Sequence, residues 1–366
     1  MIPYLIVGGI AAVITYVTTP LVRWLVLKAG AIDYPHDRKV HARPTPTLGG
    51  VAILLGVIGG GVAAASLPVF GPVFKLTSEP LGIGAAALVI VLLGAVDDLR
   101  DLPVPVKVAG QVFAAGLLFL SGVKVRFIVT PDTPISLSDD ISVIVTVTWI
   151  LVMINAVNLA DGLDGLAAGV VAIAAASFFV YVYELFQTGA LGPGPSAPLV
   201  AIIVVGASLG FLRHNFHPAR IFMGDSGAML LGLLLGAATV GGVGGAPFVT
   251  SSSFLLYVPL LIPLSVLAIP FLDAVLAIAR RTWRRQSIFL ADKEHLHHRL
   301  MDLGHGHRQA VIVMYVWSAL AAGAGLGFTF LERSDLIFVF PLAVGAIVVY
   351  TLFPVLTKAI NERFAP

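Results

Sequence analysis

The chain contains no cysteine and little charge. Without a thiol, disulfide staples, thiolate nucleophiles and cysteine-held metals are excluded, and the redox compartment is left open. Charged residues are 11% of 366 and hydrophobic residues 58%, where a soluble globular chain carries about 25% charged. A formal net charge of only +2 implies no bulk attraction to nucleic acid, and none is expected as a partner. Period-2 alternation is absent, which argues against a membrane barrel. No internal repeat and no separate soluble stretch is visible, so residues 1–366 are expected to form a single integral-membrane domain. What fills the chain is a series of apolar stretches rich in Leu, Ile, Val, Ala and Gly, with mean hydropathy +0.98. In a bilayer such stretches must satisfy their backbone groups internally, so the expected fold is all-α and polytopic.

A window of about 19 residues marks eleven spans, namely 2–27, 46–67, 81–96, 104–121, 141–155, 164–187, 198–213, 226–244, 254–279, 310–331 and 336–357. The first lacks a basic leader segment and is read as a retained helix, not a cleaved signal. Of 22 Lys and Arg, 18 fall in odd-numbered loops or at helix ends beside them. The positive-inside rule then predicts the N-terminus out, the C-terminus in and the odd loops in the cytoplasm.

Polar residues gather in those odd loops. Loop five holds Asn155, Asn158, Asp161, Gly162, Asp164 and Gly165. Asn158, Asp161 and Asp164 recur every third residue and would share a face in a helical turn. Turn formation alone is the simpler account of Asn, Asp and Gly, but carboxylates at membrane depth are costly and seldom idle. Loop three holds Asp97, Asp98 and Asp101; adjacent carboxylates repel unless a cation or proton is shared. Mg²⁺ characteristically takes one or two carboxylates together with substrate phosphates, while Arg100 balancing a solvated helix end is the bland alternative. Loop one, with Lys39, His41 and paired Gly49 and Gly50, reads either as a lipid anchor or as a phosphate-facing loop. Loop seven carries Asn215 and the run Gly224, Asp225, Ser226; the last two suit a helix N-cap, and a helix N-terminus also attracts phosphate. Loop nine holds His295, His297, His298 and Arg299, without the separated ligands a zinc site needs, and suits pyrophosphate or sugar recognition better. Asp273, inside the ninth span, is as easily an Arg partner as a catalytic group. All five clusters fall on one predicted side, which suggests a metal–phosphate site at the membrane face serving one lipid and one soluble nucleotide substrate.

In order and spacing, these segments resemble the polyprenyl-phosphate N-acetylhexosamine-1-phosphate transferases (glycosyltransferase family 4), and among them the WecA/TagO-like branch that moves GlcNAc-1-phosphate. The likeness rests on Lys39 and His41 with Gly49-Gly50, Asp97-Asp98-x-x-Asp101, Asn155-x-x-Asn158-x-x-Asp161-Gly-x-Asp164-Gly165, Phe222 to Gly227, and His295-x-His297-His298-Arg299. Ala228, Ala291 and Lys293 depart from the usual pattern. The resemblance implies that UDP-GlcNAc and polyprenyl phosphate give polyprenyl-diphosphate-GlcNAc and UMP at a bacterial plasma membrane, with Mg²⁺ (or Mn²⁺) as cofactor and a homodimer among the expected assemblies. It implies that Asp225 and Asn158 hold metal with Asp98, and that Asp97 and Asp98 bind metal or deprotonate the lipid phosphate. Asp161 is counted with these catalytic residues without a defined role. Asp164 and Asn215 would contact the uracil nucleotide, and Lys39, His41, Asn155, His295, His297, His298 and Arg299 would bind the substrates. The rival readings are the sister enzyme moving phospho-MurNAc-pentapeptide, whose histidine motif differs, and a transporter, which should carry its polar groups nearer the midplane.

Overall fold

The computed structural model describes residues 1–34, 44–128, 135–189, 194–243, 305–330 and 341–352. Lys39, His41, Asp273, His295, His297, His298 and Arg299, and the expected ninth span, lie outside the described residues.

The described chain is helical apart from two antiparallel ladders of two residues per strand. Helix α1 (Ile2–Ala29) ends at Gly30, whose left-handed φ of 74° closes the last turn. After it, β1 (Ile32–Asp33) pairs with β2 (Thr45–Pro46). Then come α2 (Gly50–Ser66), a 3₁₀ turn over Pro68–Phe70, α3 (Gly71–Leu76), α4 (Glu79–Arg100) and α5 (Val104–Leu120). A second ladder, β3 (Phe127–Ile128) with β4 (Ile135–Ser136), precedes α6 (Asp139–Ala160) and α7 (Leu166–Gln187). The last elements described are α8 (Ala197–Asn215), α9 (Gly224–Val243), α10 (His307–Phe330) and α11 (Pro341–Leu352). Proline falls in the first turn of α4, α5 and α8, where its missing N–H costs nothing.

Among the described residues, seven helices are long and apolar enough to cross a membrane, or eight if α2 is joined to the segment beyond Leu67. The expected second span breaks there: Pro68–Leu76 turns away by 94°, because proline cannot continue the hydrogen-bond ladder. Helix α5 has 17 residues and rises only about 25 Å, short of a ~30 Å hydrocarbon core. Two helices outrun their sequence limits. Helix α4 continues to Arg100 and α6 to Ala160, so Asp97, Asp98, Asn155 and Asn158 sit on final helical turns instead of in loops.

The interior is built around α7, α8 and α9, whose spans are 72%, 78% and 83% buried, against 33% for α1 and α4. Helix α9 is central and touches α2, α4, α6, α7 and α8. Small residues allow the tightest crossing, since a Cβ on Gly206 or Gly210 of α8 would lie 2.0 Å and 2.3 Å from carbonyl oxygens of Gly8 and Ala12 of α1.

Candidate active site

The centre of the site is the first turn of α9. Gly224 holds φ +67°, and a Cβ there would lie 2.4 Å from Asp98 Oδ2 and 2.5 Å from Thr47 Oγ1. Only glycine meets both demands. The N-terminus of α9 is capped by Asp98 of α4, in place of the local Asp225 or Ser226. Asp225 N–H donates to Asp98 Oδ1 at 2.8 Å, and Ser226 donates to Oδ2 from its N–H at 3.3 Å and its hydroxyl at 2.9 Å. A negative group at a helix N-terminus satisfies orphan donors and meets the positive end of the dipole. Asp98 therefore builds the site by joining α4 to α9. Glycines let the three helices close on one another: a Cβ on Gly50 of α2 would lie 2.3 Å from Gly227 N, and one on Gly94 of α4 would lie 2.4 Å from Ser226 Cα. The end of loop one is stitched alongside, with Phe222 N–H donating to Pro46 O, Gly49 N–H to Phe222 O and Gly50 N–H to Met223 O, at 2.8–3.0 Å.

Asp97, one residue back, is 2% exposed. Its Oδ1 accepts from Leu102 N–H at 2.7 Å, and Oδ2 meets the Lys107 ammonium but has no aligned hydrogen-bond donor. Lys107 also reaches Asp225 Oδ2 at 3.3 Å, so one ammonium bridges two carboxylates from helices α4 and α9. Lys107 was not among the residues singled out in the sequence. The signal that could have found it is its standing as the lone charge inside an apolar helix. Asp161 follows the last turn of α6. Burial, and then the carboxylates of Asp225, Asp98 and Asp164, push its pKa up to about 8. Asn158 is half-buried on that last turn of α6. Asn155, a turn earlier, donates to Gln111 Oε1 of α5 at 2.9 Å and to Leu151 O at 2.8 Å.

Asp164 belongs to a neighbouring knot. Its Oδ2 is paired with His217 Nδ1 at 2.7 Å and accepts from Ala219 N–H at 3.0 Å. The His217 ring stacks on His307 of α10 with centroids 4.0 Å apart, and Arg308 Nε donates to the His217 carbonyl at 2.9 Å. Asp164, His217 and His307 each offer a ligand atom within 4.8 Å of the others, a spacing a metal could use. Asp164 and His217 already bond one another directly, however, and we read the trio as a latch tying loop five to loop seven and α10. Asn215 is 2% exposed; its Oδ1 accepts from Gly165 N–H at 3.0 Å and its Nδ2 donates to Ile221 O at 3.0 Å. Both ends of that amide hold the backbone in place, so the expected contact with the uracil nucleotide does not fit Asn215 as placed. Tyr315 of α10 donates its hydroxyl to Gly165 O. Sequence reasoning missed His217, His307 and Tyr315, whose roles depend on α10 folding back onto loop five.

Three of the five polar clusters, in loops three, five and seven, thus meet at one end of the bundle, with the Gly49–Gly50 end of loop one beside them. Asp97 and Asp225 offer carboxylate oxygens on either side of the Lys107 ammonium, with the Asp161 carboxylate within electrostatic reach of Asp225. A hard divalent cation fits that chemistry. Asp98, with both oxygens engaged on α9, is better suited to scaffolding than to ligation.

Buried carboxylates and an ammonium gathered at the ends of apolar helices define a polytopic membrane protein with an anion-handling site at one end of its bundle. The comparisons narrow that class. Residues 80–243 match the sequence model of glycosyl transferase family 4. The chain is 38% identical to decaprenyl-phosphate N-acetylglucosaminephosphotransferase of Mycolicibacterium smegmatis, over 96% of this chain and 89% of that protein. It is 32% identical to a probable undecaprenyl-phosphate N-acetylglucosaminyl 1-phosphate transferase of Bacillus subtilis, over 99% and 94% of the two chains. It is also 32% identical to phospho-N-acetylmuramoyl-pentapeptide-transferase of Desulforudis audaxviator, over 89% and 98%. The chain belongs to glycosyl transferase family 4, the polyprenyl-phosphate N-acetylhexosamine-1-phosphate transferases.

Proposed function

We propose that this chain moves GlcNAc-1-phosphate from UDP-GlcNAc to a polyprenyl phosphate, releasing UMP, at the cytoplasmic face of a bacterial plasma membrane. The full topology would have eleven spans, with the N-terminus out and the C-terminus in. The observation that carries the reading is the Asp97–Lys107–Asp225 bridge at the end of the bundle. It joins an ammonium that can meet phosphate to carboxylates that can hold a cation.

A phosphate oxygen of the lipid would attack the phosphorus next to the sugar, the phosphoanhydride bond to UMP would break, and the new diphosphate would keep the sugar. Asp225, Asp97 and Asn158 would hold Mg²⁺, which when bound neutralises charge on the transferring phosphoryl group. A phosphate monoester has a second pKa of about 6 and is mostly dianionic at neutral pH, so Asp97 is needed as a ligand more than as a base. Asp98 would fix α9 so that Asp225 faces Asp97. Asp161, protonated below its raised pKa, would donate a hydrogen bond to a phosphate oxygen. Asp164, oriented by His217 and the Ala219 N–H, would accept from the nucleotide base through its remaining lone pairs. Lys39 and His41 would contact the phosphates, and His295, His297, His298 and Arg299 the sugar and diphosphate.

The test is UMP release by purified protein given UDP-GlcNAc, polyprenyl phosphate and Mg²⁺. Release should need all three and stop with EDTA. Release without lipid, or none with either an undecaprenyl or a decaprenyl acceptor, would defeat the proposal. Faster turnover with UDP-MurNAc-pentapeptide would reassign the chain to the sister reaction.

A further inference from the structure

Beyond the latch, on the outer side of His217, lies a pocket of about 660 Å³. Arg213, Arg220 and Arg308 line it over an apolar wall of Leu209, Leu212 and Phe216, and among the described residues no carboxylate contributes to it. All three arginines are exposed, and among the described residues none forms an ion pair with a carboxylate. Leu209 is 51% exposed, one helical turn before Arg213, so the wall ends in an exposed apolar side chain on the membrane side of the pocket. The depth of the pocket is marked by α1. Arg23 Nε donates to Arg220 O at 3.0 Å, and the neighbouring Trp24 is 51% exposed with the Lys28 ammonium 3.8 Å above its ring. An exposed tryptophan beside basic residues at a helix end is the signature of the bilayer interface.

We propose that this pocket binds the headgroup of an anionic phospholipid. The phosphodiester would sit among Arg213, Arg220 and Arg308, and an acyl chain would run down Leu212 and Leu209. Arginine forks match phosphate oxygens, and basic pockets between membrane helices suit anionic headgroups. The apolar wall favours a lipid over free phosphate. Arg308 also holds the His217 carbonyl, so the same side chain touches the headgroup and the latch on Asp164. The inference rests on the membrane placement proposed above and is read without turnover, so its failure leaves the transfer reaction standing.

The experiment titrates phosphatidylglycerol or phosphatidylcholine into the full chain in neutral detergent and counts bound lipid by native mass spectrometry, with thermal unfolding alongside. Phosphatidylglycerol should bind and stabilise, and phosphatidylcholine and inorganic phosphate should not. The pair Arg213→Ala with Arg220→Ala should weaken phosphatidylglycerol about 30-fold, at about 1 kcal/mol per arginine. Arg213→Gln alone, available should the pair fail to fold, should weaken it about fivefold. Arg100→Ala, at the end of α4 outside the pocket, should leave binding unchanged. Equal binding of both lipids, an equal loss with Arg100→Ala, retained affinity in the pocket variants, or an equal shift with inorganic phosphate would each overturn the proposal.

Discussion

Asp98→Asn separates two jobs that one carboxylate could do: building the site or taking part in its chemistry. The substitution keeps the size of the side chain and the acceptor facing Asp225 N–H at 2.8 Å. It replaces Oδ2 with an amide nitrogen that faces the Ser226 N–H and hydroxyl, now 3.3 Å and 2.9 Å away. Ser226 is 0% exposed, so water cannot replace the lost acceptor. Losing a hydrogen bond to a charged group costs about 1.5–3 kcal/mol, and removing the charge at the helix N-terminus adds about 0.3–1 kcal/mol. The sum, about 2–4 kcal/mol, corresponds to a fall in Tm of about 3–5 °C for a chain of this size. Asp97→Asn leaves α9 capped but gives up the buried ion pair with Lys107, so its Tm should also fall, with most turnover lost and the α9 cap intact. Thermal unfolding of the detergent-solubilised variants, followed by tryptophan fluorescence, reads the first effect; UMP release well below Tm reads the second. An Asp98→Asn protein with unchanged Tm and no turnover would refute the capping argument and return Asp98 to the chemistry.

Asp225→Asn should leave α9 capped through its backbone N–H yet lose at least about 100-fold in turnover, with any remaining activity needing more Mg²⁺, as a Mg²⁺ titration of UMP release would show. In EDTA, the folded state keeps the Asp161 proton to about pH 8, whereas the unfolded chain releases it near pH 4. Unfolding therefore releases a proton in that window, and stability should fall as pH rises from about 4 to 8 by up to about 1.4 kcal/mol per unit; Asp161→Asn should flatten that part of a Tm–pH curve. Gly94→Ala pushes a methyl group into the Ser226 backbone and should cost about 1–3 kcal/mol or more, whereas Gly61→Ala meets nothing within 4 Å and should gain up to about 1 kcal/mol, both read by thermal unfolding.

Much of the helical skeleton was legible because apolar runs report burial in lipid directly: the first, seventh and eighth spans lie within two or three residues of their helices. The ends of α4 and α6 were not legible, because Asp97, Asp98, Asn155 and Asn158 look like loop residues until tertiary partners accept them as helix. The kink after Ser66 was signalled by Pro68 but hidden inside one long apolar run. Within the site, the loops that meet could be named from charge asymmetry and residue type. Which carboxylate caps and which faces the ammonium could not, since Asp97 and Asp98 are adjacent and differ only in the side of α4 they occupy. His217 and Asn215 show the same limit in reverse. Both stand in a conspicuous polar loop, yet their partners, Asp164 and Gly165, lie about fifty positions away.

The capping bond between Asp98 and Asp225 spans 127 residues, and this distance has a cost in time. At a synthesis rate of about 5–20 residues per second, the acidic end of α4 is made on the order of ten seconds before α9 exists to receive it. Lys107 is made almost at once after Asp97 and lies in the very next helix. The ammonium that ends up between two carboxylates is thus within reach of Asp97 long before Asp225 is made.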